Sequence, residues 1–329
     1  MHILIIKTTS LGDVVHNLPI IADIKKHFPN ALIDWVVEES FVEILAMHNG
    51  INKIIPVAIR RWRKSLFSKQ TWLELFAFKK LIQAQQYDFV IDTQGLLKSG
   101  LITYLSNSLN KCGYDQSSAR EPIARHFYNY RFAASRDLHA VMRNRKLAAL
   151  ALGYAINEGT LNYGIKVPPN PDLSCTQSVL TTKFILALHG TSRDSKLWVI
   201  ENWVALGKKL QAQGFSLVLP WGTSAELQRA KQIASHLEQA LVLPKMGIVS
   251  LADIIQKSQA VVGVDTGLAH LAVALNKPVI GIYTDTNPAL TGLYGGIEQT
   301  FKNLGDQHQK ITAQEVLTQL KVFKVVDHD

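Results

Sequence analysis

Short apolar runs alternate with amphipathic stretches along the whole chain, and the alternation predicts strands and helices in turn. The clearest case is Ala260–Val264, a valine-rich run of strand length that is apolar on both faces. Asp265-Thr266-Gly267 interrupts it, residues 268–275 have helix-forming composition, and Pro278 closes the element. In the first half, His2–Ile6, 32–37, 54–57 and Phe89–Asp92 read as strands. Helices are expected from 12 to about 28, with Pro19 early enough to be tolerated, and over 41–47, 73–85 and 143–152. In the second half, strands are expected at Phe184–Leu188, 216–220, 240–243 and 278–283, and helices at 203–213, 225–237, 249–256 and 312–323. Strand followed by helix, repeated, predicts parallel α/β sheets. Three prolines between Val167 and Pro171 predict a stiff connector, so one domain is expected over 1–166 and a second over 167–311, with a terminal helical segment at 312–329.

Composition adds exclusions. The 329 residues are 47% hydrophobic and 19% charged, enough apolar material for two ordinary cores. Cys112 and Cys175 stand far apart, which argues against a disulfide framework and against a zinc site. The strand-like start His2-Ile3-Leu4-Ile5-Ile6 has no basic leader or cleavage site, and no apolar run has membrane-span length. A cytoplasmic protein, or one peripheral to a membrane, is expected. The net charge of +9 is concentrated: residues 59–146 carry 16 Lys and Arg against 6 Asp and Glu. A basic region of this kind suits an anionic partner, and nucleic acid and anionic lipid both fit it.

Four stretches carry candidate chemistry. The turn at Asp265-Thr266-Gly267 opens a helix, where unpaired N–H groups and the helix dipole favour an anion such as phosphate. Asp265 and Thr266 are equally suited to capping that helix. Lys7-Thr8-Thr9-Ser10-Leu11-Gly12-Asp13 follows the first strand; it lacks P-loop spacing, and Asp13 reads either as a reactive carboxylate or as a first-turn acid. His189-Gly190-Thr191-Ser192-Arg193-Asp194-Ser195-Lys196 offers hydroxyls and a lysine for a phosphate pair, or is a solvated loop. Glu226, after Trp221-Gly222-Thr223, is placed either for a ribose hydroxyl or for a helix start. The basic cluster Arg60-Arg61-Trp62-Arg63-Lys64, with Leu66 and Phe67 beside it, suits a phosphorylated amphiphile or a membrane surface; Arg120, Arg125, Arg136, Arg143 and Arg145 extend the same face on this reading. Asp327-His328-Asp329 lies at the chain end and is discounted as a metal site.

Taken together, residues 7–13, Asp92-Thr93-Gln94-Gly95-Leu96-Leu97-Lys98-Ser99, residues 189–198 and Val264-Asp265-Thr266-Gly267-Leu268-Ala269-His270 resemble the bacterial lipopolysaccharide heptosyltransferases of glycosyltransferase family 9. Within that family the resemblance is to the enzymes adding the first heptose of the inner core, and it runs over nearly the whole chain. It implies a GT-B fold, two Rossmann-like domains facing each other across a cleft, with the acceptor on the N-terminal domain and the nucleotide sugar on the C-terminal one. The last helix is expected to pack back on the N-terminal domain. The implied donor is ADP-L-glycero-D-manno-heptose and the implied acceptor Kdo2-lipid A, presented at the inner leaflet on the cytoplasmic face of the inner membrane.

The resemblance makes Asp13 the general base of an inverting transfer. Lys196, Thr191, Ser192, Thr266 and Gly267 would hold the departing diphosphate, and Glu226 the ribose. Met246, Asp265, Leu268 and His270 would line the donor site. Ser10, Gly12, Arg60, Arg61, Arg63, Lys64, Arg120 and Arg143 would hold the acceptor. No cofactor and no metal are expected. Gly190 and Ser192 stand where relatives often have alanine and threonine. Alternatives are another GT-B enzyme, such as heptosyltransferase II or a sugar-nucleotide epimerase. A nucleic-acid binder fits less well, since no reader motif accompanies the charge.

Overall fold

Two six-stranded sheets, every ladder parallel, organise the chain, one in the unit Met1–Lys166 and one in the unit Val167–Asp329. The structure is a computed structural model and describes residues 1–159, 161–168, 183–296, 300–306 and 309–326. Cys175, most of the proline connector and Asp327-His328-Asp329 fall outside the described residues.

The first sheet has the order β3-β2-β1-β4-β5-β6. Its strands are β1 His2–Ile6, β2 Leu32–Glu38, β3 Lys53–Val57, β4 Phe89–Asp92, β5 Lys111–Tyr114 and β6 Tyr130–Phe132. The helices between them are α1 Leu11–Val15, α2 Pro19–His27, α3 Val42–Ala46, α4 Ile59–Trp62, α5 Lys69–Gln83, α6 Leu97–Leu105 and α7 Ala140–Leu152. Central β1 is apolar on both faces because both are covered: Ile3, Leu4, Ile5 and Ile6 have no solvent exposure. The single helix expected from 12 to 28 is two. Pro19 has no N–H to continue α1, and it sits at the first turn of α2, where that loss costs nothing.

The second sheet, β12-β11-β10-β7-β8-β9, is the same arrangement repeated. Its strands are β7 Phe184–Leu188, β8 Ser216–Leu219, β9 Ala240–Val242, β10 Ala260–Val264, β11 Val279–Ile282 and β12 Phe301–Leu304. Its helices are α8 Ile200–Gln211, α9 Ser224–Ala234, α10 Ile248–Lys257, α11 Gly267–Ala274, α12 Pro288–Thr291 and α13 Ala313–Val322. In both units the first strand lies beside the fourth, and the chain winds outward from that pair in opposite directions. This is the doubly wound Rossmann arrangement, whose ligands bind at the carboxyl ends of the strands where the order reverses.

The terminal helix is built into the second unit. Thr312 and Glu315 form a capping box at its start, and Ala313, Val316, Leu317 and Leu320 are buried in the core of the second unit with Trp203, Leu206 and Leu210 of α8. Trp198 and Asn202 both donate to the Ile311 carbonyl, at 2.7 and 3.1 Å. Burying side chains such as Leu317 and Leu320 contributes about 1.5–3 kcal/mol each and holds α13 in the core of the second unit.

Candidate active site

In the first unit, β1 and β4 flank the reversal point, and both lead into a charged residue. The ammonium of Lys7, buried just past β1, donates to the Thr93 carbonyl at 2.9 Å. Asp92, the last residue of β4, is fully buried. It accepts from the backbone N–H of Gln94 at 2.8 Å and of Gly95 at 3.1 Å, and from the Tyr128 phenol at 2.6 Å. Tyr128 reaches it across β5 because residue 113 is glycine: a Cβ there would stand 2.3 Å from the Tyr128 ring. Burial pushes the Asp92 carboxyl above its ordinary range, against those hydrogen bonds.

Gln94 stitches the two loops together. Its Oε1 accepts from the N–H and Oγ1 of Thr8, at 2.7 and 2.8 Å, and its Nε2 donates to the carbonyl and Oγ1 of Thr9. Lys98, on α6, donates to the same Thr9 Oγ1 at 2.9 Å. A rigid platform results, and Asp13 stands on it.

Asp13 is in the first turn of α1. Its Oδ2 accepts from the Ser10 N–H at 2.8 Å and the Ser10 Oγ at 2.9 Å, so the first-turn reading of this acid is realised. Among the described residues Oδ1 takes no hydrogen bond and no cation lies within ion-pair distance of the carboxylate. Burial alone would raise the Asp13 carboxyl. The charge of Lys7, then the two Ser10 bonds, then Arg120 outweigh it, so the carboxyl titrates below its ordinary range. Lys7 feels the converse: burial lowers its ammonium, opposed by Asp13 and Asp92. The arrangement therefore holds an ionised carboxylate with one oxygen available at neutral pH.

The basic residues divide. Arg120 and Arg143 act electrostatically on Lys7, and Arg143 is fixed by a bond to the Ser118 carbonyl at 2.8 Å with its guanidinium over the Tyr114 ring. Arg120 acts on Asp13 as well, and Ser10 and Gly12 flank Asp13 in the chain. Arg60 and Arg63 lie near enough to Lys98 to lower its ammonium, after burial. Lys64 is exposed. Arg61 differs from expectation, since it pairs with Glu39 at 3.1 Å and Glu74 at 2.8 Å and so holds α4 in place. Arg145 departs further: it is buried against Asp23 at 2.7 Å and lies on no basic face.

In the second unit the reversal point lies between β7 and β10. Thr266 is the N-cap of α11 but makes no side-chain cap bond. Asp265 does not cap it either. Its carboxylate accepts from Lys196 Nζ at 2.5 Å and Thr286 Oγ1 at 2.9 Å, with His270 Nε2 4.0 Å away. Among the described residues no side chain accepts a hydrogen bond from the amides at Thr266, Gly267 and Leu268, the arrangement that suits an anion. Thr191 Oγ1 donates to the Asp265 carbonyl at 2.8 Å, closing the β7 loop onto the β10 turn. Ser192 is exposed and Met246 half-buried, in the loop before α10.

Glu226 completes a capping box, its Oε2 accepting from the N–H groups of Gly222 at 2.7 Å and Thr223 at 3.0 Å. Its Oε1 lies against Gly190, where a Cβ would come within 2.5 Å. Beside it, His189 is buried, and burial followed by the charge of Arg229 lowers its imidazole to about 4, so it is neutral at pH 7. Among the described residues no group of three His, Cys, Asp or Glu is placed to hold a metal ion.

Sequence reasoning gave no role to Lys7, Asp92, Gln94, Lys98 or Thr286. The signal for the first two was available: a charged residue ending an apolar strand run is costly unless the strand end is a site.

Comparison with known proteins places this geometry. The profile of Glycosyltransferase family 9 (heptosyltransferase) matches residues 75–321. The chain is 40% identical over 327 residues to lipopolysaccharide heptosyltransferase 1 of Escherichia coli K12, covering 97% of this chain and 99% of that one. E. coli heptosyltransferase WaaC solved with ADP superposes with a TM-score of 0.87 at 39% identity, over 98% of this chain and 99% of that one. The same enzyme with ADP-2-deoxy-2-fluoro heptose gives 0.84 at 38% identity over the same shares. Two Rossmann-like units, matched over nearly their whole length, make this a GT-B glycosyltransferase, and the chain belongs to glycosyltransferase family 9, the heptosyltransferases.

Proposed function

We propose that this enzyme transfers L-glycero-D-manno-heptose from ADP-heptose to the Kdo sugar of Kdo2-lipid A, with inversion, while peripheral on the inner leaflet of the inner membrane. The observation that carries the mechanism is Asp13, an ionised carboxylate with Oδ1 available in the loop at the β1–β4 reversal point. Oδ1 accepts the proton of the attacking Kdo hydroxyl. That oxygen bonds to the anomeric carbon as the bond from this carbon to the diphosphate breaks, and ADP leaves with the electron pair. Charge builds up on the sugar as in an oxocarbenium ion. Arg120 and Arg143 hold the acid groups of the acceptor beside Asp13.

The donor belongs to the second unit, by analogy with the similar enzyme solved with ADP and with an ADP-heptose analogue. The uncapped start of α11 receives the diphosphate, and Lys196 turns from Asp265 to the leaving oxygen. Fixed amides and a lysine stabilise the departing charge without reorganising at the moment of reaction. Glu226 Oε1 accepts from the ribose. Every step is carried by this chain's own side chains and amides, so turnover is expected to persist in EDTA.

The test is incubation with ADP-heptose, with and without Kdo2-lipid A, followed by mass spectrometry and NMR of the product. One heptose should be added, only with acceptor present, and its new bond should have the opposite anomeric configuration to the donor. Donor breakdown at the same rate without acceptor, or retention of configuration, would overturn the reading.

A further inference from the structure

Among its described residues the first unit carries an apolar groove between α5 and α6. Trp62, Leu66, Trp72, Phe76, Leu101 and Leu105 line about 390 Å³ of it. Around it stand large side chains turned to solvent: Phe67 is wholly exposed, and Phe76 is 64% exposed. Leu66, Trp72 and Leu73 are about half exposed. Single exposed apolar residues need no explanation, but a contiguous group of this size marks an interaction surface.

The face is held rigidly. Trp72 Nε1 donates to the Leu66 carbonyl at 2.9 Å, Ser65 and Thr71 share a hydroxyl bond at 3.0 Å, and Trp62 Nε1 donates to Glu74 at 2.7 Å. The segment after α4 is thus a braced ledge on the start of α5.

Charge selects the occupant. Between Ile59 and Lys80 seven basic residues stand against one acid, Glu74. That acid is already paired with Arg61. Arg63, Lys79 and Lys98 line the groove itself, and Lys64, Lys69 and Lys80 are exposed beside it. A second copy of this face would bring like charges together. An anionic lipid surface neutralises them and takes the aromatic and leucine side chains into its acyl boundary, the pattern of interfacial helices. Lys98 joins the groove to the catalytic loop through its bond to Thr9, so a membrane held here lies next to the loop of Asp13.

We propose that the α5–α6 face is the seat of this protein on an anionic bilayer: Leu66, Phe67, Trp72, Leu73 and Phe76 enter the acyl boundary, while Arg63, Lys69, Lys79 and Lys80 meet the lipid phosphates. The proposal rests on the lipid-linked acceptor proposed above and names the surface that reaches it.

Co-sedimentation with phosphatidylethanolamine–phosphatidylglycerol vesicles tests it, with phosphatidylcholine vesicles as the neutral reference. The wild-type protein should bind the anionic vesicles in a salt-sensitive way and the neutral ones weakly. A Phe67→Ser, Phe76→Ser double variant should bind at least about tenfold less. Its circular dichroism and melting temperature, and its turnover of a deacylated, water-soluble Kdo acceptor, should stay at wild-type values. Equal binding by variant and wild type overturns the seat. So does a wild-type chain that transfers heptose to the soluble acceptor yet ignores anionic vesicles, and that result leaves the transferase reading intact. Vesicle binding through these two residues with transfer to no acceptor supports the seat and removes the acceptor reading. A wild-type dimer that the double variant dissolves, without vesicle binding, assigns the face to contacts between copies and overturns the seat.

Discussion

The two units share one strand order and place their polar groups at the same point, yet their helix starts are built differently. In the first, the start of α1 is filled: Ser10 and Asp13 bond to each other there, and Lys7 lies behind them. In the second, the start of α11 is left open, because Asp265 turns aside to Lys196 and Thr286. A filled helix start keeps a carboxylate in place and ionised; an open one receives an anion. The topology thus decides where polar groups gather, and the capping pattern decides whether a helix start keeps its own carboxylate or stays open to an anion.

This contrast can be broken from either side. The largest effect is expected in the second unit. Lys196→Met should lower kcat by about 10²–10³-fold, because a charge poised for the leaving group is removed. Its ADP affinity, read by calorimetry, should fall by less than kcat does. An unchanged kcat would mean that the Lys196–Asp265 pair only closes the loop.

In the first unit, Lys7→Met should act through Asp13. On the proposed mechanism the carboxylate is the active form, so kcat/KM should rise with pH through the Asp13 titration. With Lys7 present that rise lies below the ordinary aspartate value of about 3.9. Without the cation, burial is less opposed and the acid limb should move to higher pH, with the alkaline side unaffected. A pH profile that does not move would remove Lys7 as the residue that keeps the base ionised.

The smallest effects sharpen the division among the arginines. Arg63→Glu should raise the KM for lipid acceptor and leave the KM for ADP-heptose alone. Arg61→Ala should leave both unchanged and instead slightly loosen α4, since solvent screens such exposed ion pairs; a small drop in melting temperature checks it. An acceptor KM that responds to Arg61 as strongly as to Arg63 would return Arg61 to the acceptor site.

Much of this was legible in the sequence, for reasons specific to certain residues. Central strands β1, β4, β7 and β10 are covered on both faces, so their apolar runs stand out; the edge strands β6 and β12 read Tyr-Arg-Phe and Phe-Lys-Asn-Leu and carry no such run. The break between α1 and α2 was marked by Pro19, which was read as tolerated within one helix instead of as the start of a second. The loop after β10 was legible because glycine and hydroxyl residues follow a valine strand. What Asp265 does was not, because its partners Lys196 and Thr286 are 69 and 21 residues away. The same distance problem hid Gln94, whose bonds to Thr8 and Thr9 span 86 and 85 residues. Arg145 misled because a basic residue in a basic region looks solvated until its partner Asp23, on another helix, is known.

The central claim is that Asp13 takes the acceptor proton. Asp13→Asn keeps the size of the side chain and an oxygen for Ser10 but cannot accept that proton. The direct measurement is kcat of this variant together with its ADP affinity by calorimetry: kcat should fall by about 10²–10⁴-fold while ADP binding stays at the wild-type value. A kcat near wild type, or a loss fully matched by weaker ADP binding, would contradict the account.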